Sequence, residues 1–297
     1  MDKNSFIENI TSAQLRDALH QIGIADPTAA ALVHILGPRR ALEWAHTLGV
    51  CSYPELAGTQ PEVPPASLRE ITAAPVPEAF LWRGINDAAM FADIYLRNGP
   101  TGLERRPRFL DFACGCGRIA RYMQAWDCDL FACDMNPQLV EWCQSHLLET
   151  STIQNQRNPP LDYPDGYFDF VYAYSVFTHT SEAATREWIH ELRRVLIPGS
   201  LLAFTTNGSH WIDSVSKLAP VLKRMNLSVE ELADAKSRVE QGEFVSHVYS
   251  GSPDGYGLAL TSLGRIADSW VSSEFELVDQ IPGGANHSQD MSVFRAK

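Results

Sequence analysis

The spacing of apolar residues along this chain changes twice. Over residues 1 to about 85, Ile7, Ile10, Leu15, Leu19 and Ile22 recur at helical spacing. Ala29–Ile35 and Arg40–Leu48 continue the pattern between breaks at Gly23, Gly37-Pro38 and Gly49, so this stretch reads as helical. Pro61, Pro64, Pro65, Pro75 and Pro77 make 58–78 a connector around one short helix, followed by the aromatic pair Phe80 and Trp82. A further helix is expected over 85–98, ended by Gly99-Pro100. From 105 to 207, short apolar runs alternate with amphipathic ones. Strands are expected at 108–112, 129–133, 151–154, 168–174 and 200–206, and helices at 117–126, 137–148 and 181–196. That alternation predicts an α/β fold, a parallel sheet doubly wound with helices on both faces. An insertion spans about 208–257. Trp211, Val215, Leu218 and Leu222 form a helical stripe, and Ser228-Val-Glu-Glu231 is a capping box that starts another helix. Phe244–Tyr249 reads as a strand and 251–257 as a turn-rich loop. A helix at 261–272 and strands at 275–281 and 290–295 finish the sheet.

Composition narrows the classes. The chain has 297 residues, 45% of them hydrophobic and 20% charged, as in globular domains. No apolar run is long enough for a membrane span, and the first residues, MDKNSFIENITSAQ, carry no secretion signal core. A net charge of −12 argues against a nucleic-acid partner, which needs a cationic surface. The six cysteines, five of them between positions 114 and 143, read as free thiols of a cytoplasmic protein. Cys114-x-Cys116 with Cys133 lacks the paired spacing of a zinc site, so no metal is expected.

The chemistry concentrates in Phe109–Tyr122, FLDFACGCGRIARY. Gly115-Cys-Gly117-Arg-Ile-Ala120 fits the GxGxxG/A pattern of a nucleotide-cofactor loop between strand and helix. Asp134 ends the next apolar run 19 residues after Gly115, where a carboxylate can accept both ribose hydroxyls. Asp111 stands four residues before Gly115, at a position that is apolar in dinucleotide folds.

With these residues the chain resembles a class I S-adenosylmethionine (SAM)-dependent methyltransferase. Leu110-Asp-Phe-Ala-Cys-Gly-Cys-Gly117 resembles that family's first motif, D/E-x-G-x-G-x-G, with Ala113 in the first glycine position. Phe131-Ala-Cys-Asp134 resembles the second, Tyr163–Tyr172 the approach to strand four, and Glu191–Gly199 the corner before strand five. The resemblance implies a mostly parallel seven-stranded sheet with the last strand antiparallel, and SAM across the carboxyl ends of its strands. It implies domains at 1–85, a helical cap or dimerisation segment, and 86–297, the catalytic domain with its insertion before strand six. SAM would lie over Asp111, Ala113, Gly115 and Gly117, with Asp111 at its ammonium and Arg118 at its carboxylate. Asp134 would hold the ribose, Met135 would pack on the adenine, and Asn155 or Gln156 would read the adenine amino group. Tyr174 and Ser175 would stand beside the sulfonium. An alanine in a left-handed backbone at position 113 would be strained.

Candidate catalysis follows strand four, in Tyr172-Ala-Tyr-Ser-Val-Phe-Thr-His179. His179 is the candidate base, since an imidazole titrates near neutrality; capping the next helix or packing on the cofactor are the alternatives. Tyr174 is a candidate for orienting the acceptor. His210, Trp211, His247, His287 and Asp290 rank as structural or solvent-exposed, and His20, His34 and His46 as helix residues. The acceptor is expected to be a small organic molecule methylated on O or N, capped by aromatic residues such as Phe80, Trp82, Phe91, Trp211 and Tyr256. Three other readings stay open. One is a SAM-fold enzyme performing cyclisation or elimination; another is a non-catalytic protein with an intact SAM pocket; the last, less favoured, is an NAD-dependent oxidoreductase.

Overall fold

The computed structural model describes residues 62–72, 76–124, 126–249, 257–271, 273–285 and 288–297. The expected N-terminal helices up to position 61, with His20, His34, His46, Cys51 and any dimer contact they make, lie outside the described residues. So do the loop 251–256 with Tyr256, and His287. The sheet has seven strands in the order β3-β2-β1-β4-β5-β9-β8, and β6 and β7 pair separately. The chain forms two compact units. One contains Thr101–Gln154 with the described residues up to Arg97; the other contains Asn98–Pro100 and the described residues from Asn155 onward.

The first unit holds helices α1 (Ala66–Ile71), α2 (Pro77–Asn98), α3 (Ala120–Met123) and α4 (Pro137–His146). Its strands are β1 (Arg108–Phe112), β2 (Asp129–Asp134) and β3 (Thr150–Gln154). β1 and β2 pair in parallel, as do β2 and β3. The α2 helix starts at Pro77, a residue suited to the first turn because its missing N–H is not needed there. This is earlier than the expected 85. Phe109 on β1 is fully buried and meets the Tyr95 ring of α2 edge-on at 4.5 Å, so α2 packs on the sheet. Burial of one such ring contributes roughly 1.5–3 kcal/mol. The helix expected over 117–126 shrinks to α3, because Gly117 at φ +76° cannot begin a right-handed helix.

The second unit holds β4 (Phe168–Ala173), α5 (Glu182–Val195), β5 (Leu196–Thr206), α6 (Ser209–Val215), α7 (Ala219–Met225) and α8 (Val229–Glu240). The ribbon strands β6 (Val245–Val248) and β7 (Gly257–Leu260) follow, then the short α9 (Leu263–Arg265), β8 (Phe275–Ala285) and β9 (Gln289–Ala296). Every residue of β4 is buried, as in a strand covered on both faces. β4 pairs with β5 in parallel, while β9 runs antiparallel to both β5 and β8. The helix expected at 261–272 is α9 continued by a wider helical turn over Ile266–Trp270. The insertion has its own apolar core, in which Trp211, Ile212 and Val215 meet Leu232, Val239, Leu258 and Leu260. Its capping box forms as predicted, with Ser228 Oγ accepting from the Glu231 amide at 3.0 Å and Glu231 Oε2 accepting from the Ser228 amide at 2.8 Å.

Two arginines fix the corners. Arg194 on α5 donates to Glu191 Oε1 and Oε2, to the carbonyls of Leu161 and Tyr163, and to Asp165 Oδ1, at 2.6 to 3.1 Å. Glu191, 5% exposed, also accepts the Leu161 amide. The segment leading into β4 and the helix before β5 are thereby tied by one guanidinium. Arg265 grips Glu182 with two hydrogen bonds, at 2.7 and 3.0 Å, and holds the Gly242 carbonyl at 2.8 Å. That joins α5 to α9 and to the turn after α8.

Candidate active site

After β1 the first unit reverses through Ala113–Gly117. Ala113, Gly115 and Gly117 all take left-handed backbone, with φ of +59°, +58° and +76°. The turn is closed by the Cys114 amide on the Cys133 carbonyl at 2.9 Å and the Gly117 amide on the Cys114 carbonyl at 3.1 Å. Glycine adopts such backbone without strain, whereas an alanine bears roughly 1–2 kcal/mol. The strain foreseen at Ala113 is therefore present. There is also no space for larger residues. A Cβ on Gly115 would stand 2.7 Å from Thr72 Cγ2, and one on Gly117 would stand 2.3 Å from Leu147 Cδ1.

Asp134 ends β2 with 7% of its surface exposed. Its Oδ2 accepts the Gly115 amide at 2.9 Å and its Oδ1 the Asn136 amide at 2.8 Å. The loop and the acid are thus held in one geometry. The N-cap of α4 is Asn136, whose side chain accepts the Gln138 amide, so Asp134 is not needed for capping. Burial raises the Asp134 pKa, and the amides of Asn136, Gly115 and Met135 oppose that rise. An ionised carboxylate offers about four lone-pair directions; capacity for a vicinal diol remains. Beside it, Met135 is 54% exposed, an apolar surface next to the acid. The Gln154 amide donates to the Met135 carbonyl at 3.2 Å and so ties the end of β3 to that of β2. These features fit a nucleoside cofactor: glycine turns a backbone can approach closely, a fixed buried acid and an exposed apolar neighbour.

Arg118 pairs with Asp87 of α2, a residue only 1% exposed. The described cysteines are free and buried. Burial pushes the Cys116 thiol to about 11 and the Cys133 thiol to about 12, so both are protonated. Among the described residues no group of His, Cys, Asp and Glu can hold a metal ion.

In the second unit the chain leaves β4 through Tyr174 and Ser175, and Ser175 also takes left-handed backbone, at φ +58°. Its amide donates to Thr205 Oγ1 at 2.7 Å, and its Oγ accepts from Gln289 Nε2 at 2.9 Å. Thr178 Oγ1 lies 3.1 Å from Ser175 Oγ and donates to the Ser175 carbonyl at 2.9 Å. This network holds a turn that the backbone alone disfavours. The ribbon strand β7 docks on the same turn, through the Ala259 amide to the Thr178 carbonyl at 2.8 Å. His179 Nδ1 meets the Gly257 carbonyl at 2.8 Å. A carbonyl only accepts, so Nδ1 carries the proton and Nε2 the lone pair. Burial lowers the His179 pKa and the Gly257 bond partly restores it.

Residues 110–204 match the family described as a methyltransferase domain. That stretch of the chain carries a methyltransferase domain. Similar solved structures include a protein of Pyrococcus horikoshii at 12% identity, over 72% of this chain and 91% of that one, with a TM-score of 0.49. The glycopeptide N-methyltransferase MtfA, crystallised with SAM, is 15% identical over 72% and 94% of the two chains, with a TM-score of 0.48. A SAM-dependent methyltransferase of Methanosarcina mazei is 15% identical over 68% and 96%, also at 0.48.

Asp111, Ala113, Gly115, Gly117, Asp134 and Met135 all lie at the carboxyl ends of β1 and β2 in the first unit. Asn155 and Gln156 directly follow β3; the Asn155 Nδ2 donates to the Gln156 carbonyl at 2.7 Å, while its buried Oδ1 has no hydrogen-bond partner. Tyr174, Ser175 and His179 follow β4 in the second unit. Three aromatic residues expected to cap an acceptor are core residues instead. Phe80 packs with Cys116 and Leu139, Phe91 is fully buried, and Trp211 belongs to the core of the insertion. Sequence reasoning missed Gln154, Thr205 and Gln289, which hold the loops through single hydrogen bonds and belong to no motif. Asp290, ranked as structural or solvent-exposed, is buried at 4% exposure and accepts the Gly283 amide at 2.8 Å.

Proposed function

We propose that this methyltransferase transfers a methyl group to an O or N atom of a small organic acceptor in the cytoplasm. The observation that carries the reading is Asp134, a buried carboxylate locked to the Gly115 amide of a turn that only small residues can form. Asp134 would accept the ribose hydroxyls, and Met135 would cover an adenine face. Asp111 and the turn at Ala113, Gly115 and Gly117 would hold the methionine end; Asn155 and Gln156 would line the adenine edge. Arg118 belongs to the scaffold, since its guanidinium engages Asp87. Bound SAM supplies an electrophilic methyl group on a sulfonium. Tyr174 and Ser175 would border that group, with Ser175 set by Thr205 and Gln289.

His179 Nε2 is the proton acceptor for a hydroxyl or ammonium acceptor. Its tautomer is set by Gly257, and burial keeps the ring neutral at physiological pH. General base catalysis of this kind contributes typically 10²–10⁴-fold. The net charge of −12 supports a small molecule over a nucleic acid. Incubation with SAM and a panel of small hydroxyl and amine acceptors, read by S-adenosylhomocysteine release and by mass spectrometry of the acceptor, tests the reading. A gain of one methyl on an acceptor is expected. Turnover that leaves every acceptor mass unchanged would refute it.

A further inference from the structure

The insertion leaves a cleft that the cofactor reading does not use. Along β6 and just past it, Val245, His247 and Tyr249 alternate onto one face. Across the ribbon, Val245 stands opposite Leu260 and His247 opposite Leu258. Val245, Leu258 and Leu260 pack with Leu232 and Ala235 of α8, and Tyr249 rests on the same core. The packing is incomplete. Between α8 and the ribbon remains a cleft of about 430 Å³, lined by Leu232, Leu258 and Leu260 and flanked by Leu227. Small-molecule sites run from roughly 300 to 1,000 Å³, so the cleft has the size of one.

The rim of the cleft is acidic. Glu230, Glu231 and Asp234 of α8 line it, against Arg238 and His247. Arg238 is already engaged, its Nε donating to Glu243 Oε2 at 2.8 Å. Glu231 is engaged too, since its Oε2 accepts the Ser228 amide at the start of α8. Glu230 and Asp234 are exposed, and among the described residues their carboxylates have no ion pair or hydrogen bond. Two open carboxylates thus border an apolar trough. Its walls favour an aliphatic or aromatic body, and its rim attracts a cation and repels an anion.

The cleft continues toward His179. The Tyr249 ring lies 6.4 Å from the His247 ring on the rim and 6.4 Å from the His179 ring. His179 is itself tied to the ribbon through the Gly257 carbonyl at 2.8 Å. One aromatic ring therefore separates the cleft from the proton acceptor. We propose that this cleft holds the body of the methyl acceptor, an elongated molecule with an apolar chain and an ammonium group remote from the methylated atom. The ammonium pairs with Glu230 and Asp234, the chain covers Leu232 and Leu258, and the reacting end extends past Tyr249 toward His179. The proposal rests on the reading of a small organic acceptor and narrows its class to a cationic amphiphile.

Calorimetry on the full-length protein, with 8-amino-1-octanol and 1,8-octanediol as probes in the presence of S-adenosylhomocysteine, tests it. The probes share a chain length and a hydroxyl and differ in one ammonium. The amino alcohol should bind about fivefold more tightly, as expected for two exposed ion pairs. Glu230→Gln combined with Asp234→Asn changes only exposed side chains and should bring the two probes within about twofold of each other. Hydrogen exchange should slow over residues 227–235 and 245–248 when the amino alcohol binds. Equal binding of the two probes, no binding of the amino alcohol, a preference that the double variant keeps, or protection confined to other segments overturns the proposal. SAM is titrated in the same experiment. If SAM binds and the amino alcohol does not, only this inference falls; if SAM itself fails to bind, the functional reading falls with it.

Discussion

Replacing Ala113 by glycine should make this protein more stable, and replacing Gly117 by alanine should make it less so. Both residues take left-handed backbone in the same turn, at φ +59° and +76°. Removing the Ala113 Cβ relieves roughly 1–2 kcal/mol of strain, while glycine's extra freedom in the unfolded chain returns about 0.4–1 kcal/mol. The net gain is about 0.5–1 kcal/mol, which raises Tm by about 1–3 °C for a chain of this size. At Gly117 the same terms change sign, and a new Cβ would stand 2.3 Å from Leu147 Cδ1, on a side chain only 2% exposed. Gly117→Ala should therefore cost about 1–3 kcal/mol. Thermal melts and urea titrations with unchanged slope read both effects. A destabilised Ala113→Gly, or a Gly117→Ala that melts like the wild type, would show that the turn is not under the strain described.

Three further outcomes are expected. His179→Ala should leave SAM affinity within about twofold and lower kcat/KM by about 10²–10⁴ on a hydroxyl acceptor; a loss confined to SAM binding would assign the ring to packing. Because burial lowers the His179 pKa, the acidic limb of kcat/KM should lie below the ordinary imidazole value of 6.5; a limb at or above that value contradicts a neutral buried base. Arg194→Met strands Glu191, which is 5% exposed, and should cost about 2–3 kcal/mol in urea unfolding; a loss under about 0.5 kcal/mol would make the corner ion pair a surface ornament.

The fold was largely legible, because β1 to β5 alternate with helices and each apolar run is short and bounded. β1 matches its expected span, and the capping box at Ser228 forms as the spacing requires. The helix after the glycine turn was overextended, since periodicity does not reveal that Gly117 is left-handed. The glycine turn and the acid that ends the next strand were visible because their signals are local in sequence, and the structure joins them through the Gly115 amide on Asp134. Thr205, Gln289 and Gly257 were not, because each acts across the sheet or ribbon through one hydrogen bond on a residue 30, 114 or 78 positions from its partner. Phe80 and Trp211 misled for the converse reason. An aromatic residue in a segment of unknown packing reads equally well as a pocket wall or as core, and here the cores claim both.

The central claim is that Asp134, set by the glycine turn, holds the ribose of the cofactor. Calorimetric titration of SAM into the wild type and into Asp134→Ala tests it most directly. Loss of two hydrogen bonds to a carboxylate predicts a weakening of about 3 kcal/mol, roughly a hundredfold in Kd. A folded Asp134→Ala protein that binds SAM as the wild type does would contradict the account.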